Sequence, residues 1–138
     1  MNKQEFIISN LKPYFLDPST CGTFNGLCVS LADNGNMCVF GKNMTPEALE
    51  EYKDNGAGAT ELLKENGESI LKEESRGILT IEEWQGMQSI HDNIPNPNRN
   101  FKFRYDILLF TLKKFAELTK CDLSELFELS KKFDGGGN

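Results

Sequence analysis

Asn34 and Gly35 sit between two short apolar runs, residues 27–32 and 37–42. This pairing constrains the chain more than any other stretch. A tight type I′ turn needs positive φ at both central residues, and Asn and Gly tolerate that best. With Asn34 and Gly35 as the loop, Leu31 opposes Cys38, Val29 opposes Phe40 and Leu27 opposes Lys42. Opposed residues share a face and faces alternate along a strand. One face then carries Leu27, Val29, Leu31, Cys38 and Phe40 and belongs on the core. The other carries Cys28, Ser30, Ala32, Met37, Val39 and Gly41. Cys28 and Cys38 point to opposite sides, so they neither bridge nor share a metal. A lone hairpin is marginal in water and needs a third strand or a helical cover.

The rest of the chain supplies the cover. Residues 3–12 carry Phe6, Ile7 and Leu11 at helical spacing, and Pro13 argues for an end near there. Residues 13–26 read as a packed loop, with Phe15 and Leu16 as a possible short edge strand. Thr45 and Pro46 open a helix that stops near Asn55 and Gly56. Thr60 caps a further helix ended by Gly67. Residues 69–81 have two readings, a continued helix or a third strand at 77–81. Thr80 and Glu83 form a capping-box pattern opening a helix at 81–92. Residues 93–100 are a Pro- and Asn-rich loop. The longest apolar-rich helix spans 103–119. Its stripe of Leu108, Leu112, Phe115 and Leu118, widened by Ile107 and Phe110, suggests burial on more than one side. Asp122 and Glu125 open a last helix at 123–133. The expected fold is α+β: a small antiparallel sheet built on a 27–42 β-hairpin, covered by four to six helices. It forms a single globular domain over 1–133, followed by a disordered Gly-rich tail at 134–138.

With 138 residues, 38% of them apolar, the chain is long enough for a substantial core. It has no run of about 18 apolar residues, so no membrane span is expected. Polar residues interrupt every apolar stretch of the first sixteen positions, unlike a signal peptide. Four cysteines without a secretory signal are expected to be reduced thiols in the cytoplasm.

The formal net charge is −6, unevenly spread. Residues 44–83 hold eleven acids and four bases, and residues 95–121 hold six bases and two acids. An acidic chain is a poor general binder of nucleic acid, because phosphate contacts need clustered Lys and Arg. An acidic face instead speeds association with a basic protein partner and can mimic nucleic-acid phosphate. Glu47, Glu50, Glu51, Asp54, Glu61 and Glu65 are the candidate binding residues. The leading expectation is a non-enzymatic cytosolic binding protein of inhibitor or immunity type. No cofactor is expected.

Two alternatives use other residues. Cys21, in a Ser-Thr-Cys-Gly loop, paired with His91 would give a Cys-dependent enzyme. Against it stands the ordinary use of cysteine as a small core residue. Residues 99–105 alternate basic and aromatic side chains, and Arg99, Lys102 and Arg104 with those aromatics suit a single-strand nucleic-acid binder. Strict alternation separates cations from rings, however, and a helix entry with the rings inside explains the pattern equally. Cysteine spacings of seven, ten and eighty-three lack the close pairs of structural zinc, so no metal is expected. Residues 56–60 form a Gly-rich turn without the Gly-Lys-Ser/Thr of a P-loop. Residues 113–131 have helix–turn–helix spacing, but the second helix presents glutamates where a DNA reader needs Arg, Lys, Asn or Gln.

Overall fold

A computed structural model describes residues 1–21, 23–24, 27–28, 36–52, 58–95 and 102–134. Among the described residues six α-helices carry the fold: α1 (Lys3–Leu16), α2 (Pro46–Tyr52), α3 (Ala59–Asn66), α4 (Ile81–Asp92), α5 (Tyr105–Thr119) and α6 (Ser124–Ser130). Short 3₁₀ turns join several of them.

The expected α+β class is corrected to all-α among the described residues. Extended pairing there is confined to a two-residue antiparallel contact, Thr23–Phe24 with Leu27–Cys28, a bridge from Met44 to Leu71, and an isolated bridge residue at Met37. None of these builds a layer. The second arm of the expected 27–42 β-hairpin is not a strand. Phe40 has helical backbone angles and Gly41–Asn43 form a 3₁₀ turn. The amides of Lys42, Asn43 and Met44 close onto the carbonyls of Cys38, Phe40 and Gly41. Strand alternation fails accordingly: Cys38, Val39 and Phe40 are all buried in succession. Asn34 and Gly35 lie outside the described residues, as does the side chain of Cys28.

Long-range bonds explain why a β-prone run coils here. The Asn43 carboxamide is buried; it donates to Val39 O at 2.8 Å and to Asn10 Oδ1 at 2.7 Å. Its oxygen accepts from the Ser75 hydroxyl at 2.7 Å. The Phe40 amide donates to the Gln88 side chain on α4. The polar groups of this buried turn that have a partner among the described residues find it on a helix, at a neighbouring turn or within the turn itself.

Other boundaries shift for local reasons. α1 runs through Pro13 to Leu16, so Phe15 and Leu16 are helical and form no edge strand. Proline holds a helical φ and forfeits one backbone bond, while Tyr14 and Phe15 gain burial at 4% and 0% exposure. Residues 77–81 are not a third strand. 3₁₀ turns at Gly67–Ile70 and Glu73–Ser75 lead into an irregular stretch that buries Leu79. Gly58 rather than Thr60 sits at the α3 N-cap, and Gly67 ends the helix with φ +67°, as a left-handed stop requires. α2 and α4 start as expected. The Ala48 amide donates to Thr45 Oγ1 at 3.1 Å. The Thr80 and Glu83 side chains each accept from the other's backbone N–H. Residues 135–138 and 53–57 lie outside the described set.

Trp84 on α4 is at the centre of the core, fully buried, with the rings of Phe6 and Phe40 edge-on at 5.8 and 5.4 Å. α5 packs on α4 through Leu108, Leu112 and Phe115, all buried. Burial on several sides of α5 is corrected: Leu118, Ile107 and Phe110 are exposed. α6 packs back onto α1.

Candidate functional site

Three sets of side chains bear on function: an acidic helical face, a buried cluster around Tyr14, and a groove between α4 and α5.

On α2, Ala48 faces the core, and Leu49 and Tyr52 are partly buried against it. Helical periodicity then turns Glu47, Glu50 and Glu51 to solvent. On α3, Leu62 and Leu63 point inward, leaving Glu61 and Glu65, one turn apart, exposed. Tyr52 donates to Asn66 Oδ1 at 3.1 Å, tying the end of α2 to the end of α3. Among the described residues no ion pair engages Glu47, Glu51, Glu61 or Glu65. The five glutamates therefore share two linked helices. Asp54 lies outside the described residues.

Cys21 and His91 come into one neighbourhood, around Tyr14. The His91 imidazole stands edge-on to the Tyr14 ring at 4.7 Å. Its Nδ1 lies 2.9 Å from Asp92 Oδ1, which also accepts from Gln88 Nε2 at 2.8 Å. Tyr14 donates to Met37 O at 2.6 Å. The Lys42 ammonium lies 4.5 Å over the same ring and donates to Asn10 O at 2.5 Å. The Cys38 sulfur accepts from the Gly41 amide at 3.2 Å. Burial raises the Tyr14 hydroxyl well above its usual range, and the nearby Cys38 and Cys21 thiols add to this. Burial also lowers Lys42 to about 8; the same thiols oppose that shift, and Lys72 adds to it. Cys21 and His91 are 1% and 0% exposed, so a nucleophile and base there present no reacting atom to solvent. Tyr14 and Lys42 were not flagged by sequence, because nothing local marks a lysine that folds inward.

The basic–aromatic stretch separates as its alternation implied. Lys102 and Arg104 are exposed, and Arg104 forks onto Asp106 at 2.7 and 3.2 Å. Phe103 turns in to meet Phe133 at 6.0 Å. Among the described residues of this stretch, the cations Lys102 and Arg104 face solvent while Phe103 packs inward. Arg99 lies outside the described residues. On α6, Glu125 and Glu128 pair with Lys12 and Lys131, each at 2.6 Å, so the helix carries no base-reading cation.

A groove of about 650 Å³ runs between α4 and α5, with Gln85, Gly86 and Ser89 on one wall and Phe110, Phe115 and Leu118 on the other. Its α4 wall joins the acidic helices, since the Thr60 hydroxyl donates to Gln85 Oε1 at 2.9 Å. Sequence had assigned Phe110 and Leu118 to the core, so the groove was not foreseen. Among the described residues no helix is long and apolar enough to cross a membrane.

No family model, curated protein or solved structure matches the chain.

Proposed function

We propose that the chain is a non-enzymatic cytoplasmic binding protein that docks a basic protein partner through the acidic face of α2 and α3. An inhibitor or immunity role is the concrete form of this reading. It is carried by one observation: Glu47, Glu50, Glu51, Glu61 and Glu65 are all exposed on two helices joined by the bond from Tyr52 to Asn66. Clustered like charges build a potential that steers a cationic surface and fixes its register. The chemically versatile residues, Cys21 and His91, lie inside the fold, which favours binding over thiol catalysis.

The test is affinity capture at low salt, followed by titration calorimetry of the captured protein against wild type and the triple variant Glu47→Lys, Glu50→Lys, Glu51→Lys. A basic protein released by salt, and bound at least about tenfold more weakly by the variant, supports the reading. A partner that binds the variant as tightly as wild type rejects it.

A further inference from the structure

We draw no further inference here: the strongest candidate, the groove between α4 and α5 with Phe110 and Leu118 exposed on its α5 wall, carries nothing because nothing in the structure shows what covers it.

Discussion

Gly86→Ala tests how closely α4 and α5 approach. Gly86 lies in the middle of α4, where an exposed Gly-to-Ala change ordinarily stabilises a helix by about 1 kcal/mol. Here a Cβ would stand 2.6 Å from Phe115 Cδ1 and 2.9 Å from Cε1. Non-bonded carbons prefer about 3.5–4.0 Å, so the ring must retreat by about 1 Å. Phe115 is 2% exposed, and overpacking of this kind costs about 1–3 kcal/mol. A displacement this large belongs in the upper half of that range. The net expectation is destabilisation by about 1–2 kcal/mol after the helix gain is subtracted. Urea unfolding followed by far-UV circular dichroism measures it, with an unchanged m-value as the sign that only stability moved. Phe115→Leu alone loses core contacts. Combined with Gly86→Ala it makes room for the new methyl, so the double variant is more stable than the sum of the singles by about 1 kcal/mol or more. Stabilisation by Gly86→Ala would refute the reasoning, because it would mean the helices do not meet at this residue.

Three further outcomes follow from the charged and capped positions. Thr80→Ala removes one half of the α4 capping box and lowers stability by about 1 kcal/mol in the same unfolding assay. Burial pushes Glu83 up, but the Lys3 ammonium at 2.7 Å and the Thr80 backbone amide outweigh it and hold the carboxyl below its usual value. The stabilisation from Glu83 is therefore present at neutral pH and lost as pH falls below about 4.5 through the folded value; Glu83→Gln flattens that acid limb, and a limb unchanged in the variant would refute the assignment. Lys42 runs the other way: burial lowers it from 10.5 to about 8, so between those values the unfolded chain holds the proton and stability rises with pH. Linkage sets the ceiling at about 3 kcal/mol, reduced to about 1–2 kcal/mol by solvent screening of a partly exposed side chain. Stability–pH profiles of wild type and Lys42→Met should converge or cross in wild type's favour over that window, and parallel profiles would reject a buried ammonium.

Sequence revealed those parts of the fold whose causes are local. The starts of α2 and α4 follow from Thr45 and from Thr80 with Glu83, side chains that satisfy amides three residues away. The exposed glutamates of α2 and α3 follow from helical period and charge. The hairpin failed because residues 37–42 have strand composition but are held by Asn10, Ser75 and Gln88, none of them near in sequence. Pro13 misled because its cost is one bond, whereas the gain is burial of Tyr14 and Phe15, which only the tertiary structure reveals. On α5 the period was right, but the stripe was too broad to say which side is covered. The groove was invisible for that reason, as was the cluster around Tyr14, whose members come from α1, the turn after Met37 and α4.

That cluster takes over the organising role a hairpin would have had. A turn of buried Cys38, Val39 and Phe40 has no ladder to hold it, so its position depends on side chains reaching in from elsewhere. α1 supplies Tyr14, which holds Met37 O, and Asn10, which takes Lys42 at its carbonyl and Asn43 at its side chain. α4 supplies Gln88 to the Phe40 amide and His91 against the Tyr14 ring. Each bond is individually modest, about 1 kcal/mol net, but a buried donor or acceptor left open costs about 1–3 kcal/mol. The penalty for losing one partner thus exceeds the gain from making the bond, which selects a single arrangement of α1, the turn and α4. An inward lysine with a lowered pKa and two buried thiols are by-products of this clamp. They resemble an activated site in their electrostatics and differ from one in their burial, with Cys21 and Cys38 at 1% and 4% exposure.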